Sequence, residues 1–335
     1  MSHVGTVSVV IPTYNRRELV VQAVRSVLYQ SYADFSCTVV DNGSTDGTQQ
    51  AVRSLEDPRV RVLVVENALG GAGARNVGIE ASRDARWVAF LDSDDLWAPE
   101  KLERQLSCLA DNPASRWSAT ACVDVSPQLT VSHALRLPDE PPVGSPAKLV
   151  GSAELVARLE QDNYLPAGNS TVLVSIDLLA DTGGYDAALR TCDDWDLWLR
   201  LARRSPLTYL DVPLAAYRIW DGQSSNYEHD FLRDAATVRA RNFPGNGSLP
   251  EGYAARWARD AASRQVVSRQ RLRAAGSYLR AAWLGRAPGQ LAYSIGALAF
   301  PGTTAKRLRR LDAAHRLPEG WEAMVEPWLS RWRGT

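Results

Sequence analysis

No apolar run in this sequence is long enough to cross a bilayer, and the N-terminus reaches its first strand-like segment without a basic stretch followed by a long hydrophobic one. Neither a transmembrane anchor nor a signal peptide is expected. Cysteine is scarce: Cys37, Cys108, Cys122 and Cys192 are widely spaced and make no C-x-x-C pair. That spacing argues against a zinc knuckle or a disulfide framework and favours a reducing cytosol. An excess of charge is also missing, since Lys and Arg together number 38 and so do Asp and Glu. Balanced charge gives no reason to expect nucleic acid as a partner. Two common phosphate loops are absent as well. Gly71 and Gly73 lack the third glycine of G-x-G-x-x-G, and no Walker lysine motif occurs.

What is present is most concentrated between Trp87 and Trp97, which read WVAFLDSDDLW. Trp87 to Leu91 is a continuous hydrophobic run of the length of a parallel strand covered on both faces. It stops abruptly at Asp92, Ser93, Asp94 and Asp95. Ligand sites in parallel sheets lie beyond the carboxyl ends of the strands. Crowded carboxylates there suit a hard divalent cation, Mg2+ or Mn2+, that shares oxygens with a substrate phosphate. The competing reading is an acidic turn before the helix that Pro99 begins. An EF-hand is excluded, because Trp97 stands where that loop needs its glycine.

The first half alternates strand-like and helix-like segments, the order that builds a parallel α/β sheet. Val7 to Ile11, Phe35 to Val40 and Val60 to Val65 read as strands. Glu18 to Gln30 carries apolar residues at helical spacing, and a second helix is expected after the glycines, up to Ala81. Polar loops follow the strands: Tyr14 and Asn15, Asp41 with Asn42 and Gly43, Arg75 with Asn76, then the acidic turn. Tyr14 can stack on a ligand or pack internally, and Asp41 can bind a ligand or cap its own turn.

VSVVIPTYNR, VVDNGSTDGT, GAGARNVGI, DSDD, Gly184 to Asp186 and CDDWDLWLRL occur in that order over about the first 220 residues. In these blocks the chain resembles the family 2 glycosyltransferases with the GT-A fold. The resemblance implies an α/β protein: a Rossmann-like, mostly parallel sheet flanked by helices, with a C-terminal helical appendage. It implies a catalytic domain over residues 1–230, with a donor half to about 115 and an acceptor half from about 116, and a helical region over 231–335. Pro12, Tyr14 and Asn15 would line the nucleobase and ribose pocket, Asp41 would bond the base, and Arg75 would lie near the nucleotide. Asp92 and Ser93 would face the ribose or a metal, and Asp94 would coordinate a Mg2+ or Mn2+ ion that bridges the donor diphosphate. Asp95 is assigned to the first turn of the helix near Pro99.

In the family the acidic pair before an amphipathic helix supplies the base that deprotonates the acceptor. Asp194 takes that role here, with Asp193 as second choice, and Trp195 is the candidate platform for an acceptor ring. Trp198, Leu197 and Leu201 have core-like helical spacing. One position departs from the family. Relatives often carry Y-R-x-H, whose histidine completes a metal site, and this chain has Tyr217, Arg218, Ile219 and Trp220. Asp221 or His229 would then complete the site, or diphosphate and water would.

The resemblance implies an inverting transferase that moves a single sugar from a nucleotide sugar, a UDP-sugar by preference, to a glycan, a lipid-linked acceptor or a small metabolite. Processive synthesis is disfavoured by the absence of Q-x-x-R-W. The alternatives are a sugar nucleotidylyltransferase, whose N-terminal glycine-rich loop is missing, and a donor-binding scaffold without turnover. The region from about Pro127 to Pro166, which holds Pro138, Pro141, Pro142, Gly144 and Pro146, has little regular patterning and reads as an inserted loop beside the acceptor. Tyr293 to Pro301, followed by Lys306, Arg307, Arg309 and Arg310, is compatible with peripheral contact at the inner face of the membrane, while its short length favours packing against the catalytic domain or another subunit. The expected location is otherwise the cytoplasm.

Overall fold

Valine dominates the first apolar segments, and β-branched residues of this kind make strands when both faces are covered. The structure, a computed structural model, describes residues 6–66, 68–137, 147–163, 165–220, 228–245, 248–250, 252–267, 271–285, 289–299 and 317–334. Strands β1 (Val7–Thr13), β2 (Phe35–Asp41), β3 (Val60–Val64) and β4 (Trp87–Phe90) pair in the order β3-β2-β1-β4, all parallel. Thr13 stands opposite Asp41 at the carboxyl end of this group, so the loops after β1 and β2 emerge side by side.

Helices α1 (Arg17–Leu28), α2 (Thr48–Arg53) and α3 (Gly70–Glu80) make the crossovers. Val20, Ala23, Val24 and Val27 of α1 are fully buried in a cluster with Val7, Val9 and Ile11. Each of the valines and Ile11 contributes about 1.5–3 kcal/mol through removal from water, and Ala23 less. Helix α3 packs on β1 closely enough that a Cβ at Gly78 would lie 2.2 Å from Val10 Cγ1.

Beyond β4 the pairing changes direction. β9 (Leu173–Ser175) runs antiparallel to both β4 and β6 (Trp117–Val125), and β10 (Leu207–Arg218) follows, with β5 (Leu96–Trp97) antiparallel at its far side. β7 (Val131–Leu135) pairs with β6, and β8 (Lys148–Val150) with β10. The ten-stranded sheet is therefore mixed, parallel in its first four strands and antiparallel across β4-β9-β6 and at β10. Helices α4 (Lys101–Asp111), α5 (Ser152–Gln161), α6 (Ile176–Thr182) and α7 (Asp193–Ala202) belong to the same α/β body.

The described residues fall into two compact units, one drawn from Met1–Asp124, Ala134–Arg218 and Pro318–Thr335, the other from Val125–His133 and Ile219–Leu317. The second holds α8 (Glu228–Asn242), α9 (Tyr253–Val267), α10 (Arg271–Leu284) and α11 (Gly289–Ala299), the last three sharing a small core of Ala262, Ala274, Tyr278 and Ala297. Helix α12 (Trp321–Leu329) belongs to the first unit, where nearby Trp332 meets the Tyr29 ring edge-on at 5.5 Å. No helix among the described residues is long and apolar enough to cross a membrane. Within the stretch from Pro127 to Pro166, β7, β8 and α5 are regular elements, which corrects its reading as a loop there; residues 138–146, Pro301, and Lys306 to Arg310 lie outside the described residues.

Candidate active site

The turn after β1 is built by its own polar side chains. Asn15 adopts φ 49°, a left-handed conformation that asparagine tolerates. Its side-chain oxygen accepts the Thr45 N–H at 2.8 Å, and its own N–H is donated to Ser44 Oγ at 2.8 Å. The loops after β1 and β2 are thus knitted together, and Asn15 serves as their rivet. Tyr14, beside it, is 55% exposed, so its ring is available to a ligand and does not pack internally. Pro12 is half-buried at the strand end.

Asp41 is fully buried. One carboxylate oxygen accepts the Ser44 N–H at 3.0 Å, whereas Oδ2 has no hydrogen-bond partner among the described residues. The Thr13 hydroxyl, at the paired position on β1, is likewise buried without one. Leaving such an atom unsatisfied costs about 1–3 kcal/mol. Two neighbouring groups at the carboxyl end of the parallel strands are thus left with open hydrogen-bonding capacity, one acceptor and one hydroxyl.

Arg75 is the hub of the acidic groups. Only 7% exposed, it donates to Asp92 Oδ1 at 2.6 Å and to Asp193 Oδ2 at 2.9 Å, and it lies over the Tyr185 ring at 5.5 Å. Burial opposes its charge, but the carboxylates of Asp92 and Asp193 more than offset that and hold it protonated. A single guanidinium therefore joins the turn after β4 to the start of α7. Asn76 makes a second link, since its amide donates to Tyr185 O and accepts from Tyr185 N, both at 2.8 Å.

In the acidic turn, Asp94 pairs with Arg16 at 3.0 Å, and the same guanidinium donates to Ser93 Oγ at 3.2 Å. Asp95 points elsewhere. Its two oxygens accept the Ser170 hydroxyl at 2.6 Å and the Arg218 N–H at 3.0 Å, while the Arg218 side chain donates to Asp94 O at 2.9 Å. The assignment of Asp95 to the next helix is corrected accordingly: α4 begins at Lys101 and receives no side-chain cap. Burial, and then the charges of Asp94 and Asp92, push the Asp95 carboxyl well above the usual carboxylate range.

At the start of α7, Asp193 is buried and Asp194 only partly so. Asp194 accepts the Trp195 N–H at 2.7 Å and the Asn163 amide at 3.2 Å on both oxygens. Burial is the largest cause raising both carboxyls, that of Asp193 to about 7, where Arg75 works against the rise and the Asp194 charge adds to it. Gly168, at φ +47°, leaves room for the Asp194 carboxylate, since a Cβ there would stand 2.6 Å from Oδ2. Trp195 is fully buried and its indole N–H is donated to Leu159 O at 2.8 Å. Its ring is core, which corrects its reading as an acceptor platform. Asp196 is held by Arg200 at 2.7 Å.

The donor set fits a divalent cation in part. Asp92 and Asp94 present hard oxygens within one turn, though each is engaged by an arginine, and no group of three His, Cys, Asp or Glu side chains that could hold a metal gathers among the described residues. Such a pair suits an ion that takes most of its shell from diphosphate and water. Asp221 and the side chain of His229 lie outside the described residues. Arg16, Asn163, Ser170 and Arg218 are site residues that the motif reading missed. Only Arg16, the last residue of VSVVIPTYNR, and Arg218, in the stretch compared with Y-R-x-H, carried a signal.

The carboxyl edge of the parallel strands thus gathers these loops, and Arg75 bridges the acidic turn to the acidic start of α7. Residues 8–122 match the model of glycosyl transferase family 2. TuaG of Bacillus subtilis (strain 168), named provisionally as a teichuronic acid biosynthesis glycosyltransferase, is 31% identical over 66% of this chain and 81% of its own length. WfgD of Escherichia coli, a UDP-Glc:alpha-D-GlcNAc-diphosphoundecaprenol beta-1,3-glucosyltransferase, is 40% identical over 32% of this chain and 43% of WfgD, so the match spans less than half of that relative. Among solved structures, S. aureus TarS 1–349 in complex with UDP-GlcNAc superposes with TM-score 0.58 at 18% identity, covering 91% of this chain and 92% of that one. The mannosyltransferase PcManGT from Pyrobaculum calidifontis, in complex with GDP-Man and Mn2+, gives 0.53 at 18% identity, covering 99% and 88%. The chain belongs to glycosyltransferase family 2 and is a transferase of the GT-A architecture.

Proposed function

We propose that the protein transfers one sugar from a UDP-sugar to an acceptor nucleophile, with inversion at the anomeric carbon. The observation that carries the donor reading is the unsatisfied Oδ2 of Asp41 beside the unsatisfied Thr13 hydroxyl. The uracil imide offers one N–H flanked by carbonyls, which matches one acceptor and one donor. Guanine offers two adjacent donors and calls for both carboxylate oxygens, but Oδ1 is already taken by Ser44. The exposed Tyr14 ring offers a stacking face to the base. The UDP-GlcNAc complex of TarS supports the same choice.

In the transfer, Asp194 takes the acceptor proton as the acceptor oxygen bonds to the anomeric carbon. The bond from that carbon to the diphosphate breaks, and its electron pair leaves with UDP. Asp194 suits this better than Asp193 because it is partly exposed, whereas Asp193 is buried against Arg75. Arg75 ties the donor turn to the base-bearing helix and so fixes their relative placement. Arg16, at the acidic turn, is placed to meet diphosphate charge. When bound, a divalent cation held by Asp94 and Asp92 supplies further charge neutralisation for the leaving group.

The acceptor we favour is a lipid-linked saccharide, supported by the undecaprenol-linked acceptor named for WfgD. The four cysteines form no disulfide, in keeping with a cytoplasmic setting. Asp194→Asn tests the base. Transfer should fall by about 10²–10⁴-fold with UDP-sugar binding retained. Normal transfer by that variant removes Asp194 from the role.

A further inference from the structure

We propose that α10 and α11 together form a docking surface for anionic phospholipid membrane, a role separate from the donor site. The two helices pack through small residues and one tyrosine pair: Ser294 Oγ donates to Ala275 O at 3.0 Å, and Tyr278 stacks on Tyr293 at 5.5 Å. These pairs run in opposite order along the two helices, 275 with 294 and 278 with 293, so the helices are antiparallel. Outside that seam the apolar side chains are in water. Leu272, Leu279 and Trp283 of α10 are 81%, 50% and 79% exposed, and Leu291, Ile295 and Leu298 of α11 are 44%, 66% and 44% exposed.

At about 100° per residue the three on α10 fall within a sector of about 40°, and the three on α11 within about 60°. Measured in each helix's own sense of rotation, the α10 stripe lies roughly 90° past the middle of the seam and the α11 stripe roughly 120°. In an antiparallel pair, rotation in that same sense brings both stripes to the same side. The six side chains therefore lie on one side of the helix pair. Arg273 and Arg280 are exposed and follow the α10 stripe by another 80–100° or so, at the edge away from the seam.

Charge identifies the occupant. Between Asp260 and Asp312 the sequence contains ten Arg and Lys residues and no Asp or Glu, in a chain whose overall balance is zero. A second copy docked face to face would bring the like-charged edges that carry Arg273 and Arg280 together. Acidic lipid headgroups complement them, and the apolar stripes with Trp283 enter the headgroup–acyl boundary, the usual depth for tryptophan. The face lies parallel to the membrane, because neither helix can span one.

The test is flotation of the full chain with vesicles of pure phosphatidylcholine and of phosphatidylcholine with 30% phosphatidylglycerol. Binding to the anionic vesicles is expected, weakened by salt and at least tenfold stronger than to the neutral ones. The variant Leu272→Ser/Trp283→Ser/Ile295→Ser changes only exposed positions, so circular dichroism should be unaltered while vesicle binding falls at least tenfold. Asp194→Asn should bind vesicles like the wild type, which separates this surface from the catalytic reading. No binding to anionic vesicles, equal binding to both kinds, or unchanged binding by the triple variant would overturn the proposal. So would a concentration-dependent dimer that the triple variant abolishes with no lipid binding, which would assign the face to a second copy.

Discussion

Asp193 shows how one buried carboxyl reports on its surroundings. Its raised value, about 7, means that the folded protein binds this proton more tightly than the unfolded chain, where an aspartic acid titrates near about 3.9. Stability from this group is present at low pH and is lost as the pH rises from about 4 to about 7. Asp193→Asn should flatten that part of the profile, read as the urea midpoint against pH. An unchanged slope would show that Asp193 titrates normally. Asp194 is raised as well, so the acidic limb of kcat/KM should lie above the ordinary carboxylate range. Arg75→Met leaves Asp92 and Asp193 without their shared cation. Breaking such a buried pair typically costs about 3–5 kcal/mol. The variant should therefore unfold at a lower urea concentration, and Arg75→Lys, which lacks the fork, should recover only part of the difference.

At the scale of elements, two glycines separate folding from chemistry. Gly78→Ala places a methyl carbon against Val10 and should cost about 1–3 kcal/mol of stability by overpacking the α3–β1 contact. Gly168→Ala is strained by its φ of +47° and also pushes on the Asp194 carboxylate, so transfer should fall at least about tenfold. If Gly168→Ala lost stability but kept full turnover per folded molecule, the loop around Gly168 would not position the base. The parallel strands were legible because runs such as Val7 to Ile11 and Trp87 to Leu91 need burial on both faces, and the structure places them within a residue or two. The short strands β5, β8 and β9 were not, since two or three residues carry no periodicity, and their pairing to β10, β4 and β6 is decided by tertiary packing.

For the whole molecule, motif order indicated the family but not the wiring of the candidate site. Trp195 looked like a ligand platform because an aromatic beside two aspartates has that chemistry; the helix phase turned it inward to Leu159. Asp95 looked like a helix cap, yet Ser170 and Arg218, distant in sequence, claimed its oxygens. No local pattern announces an ion pair such as Arg75 with Asp193, 118 residues apart. Asp41, by contrast, was readable at the end of its strand, and only its unpaired oxygen needed the structure.

That oxygen also gives the most direct test. Calorimetric titration of the intact protein with UDP-, TDP- and GDP-sugars, with Mg2+, Mn2+ or EDTA, should show selective binding of a UDP-sugar, enhanced by the metal. Asp41→Ala should weaken that binding by about tenfold or more, the worth of one buried hydrogen bond to a charged group. A preference for a GDP-sugar, or UDP-sugar binding that Asp41→Ala leaves unchanged, would contradict the assignment of the donor.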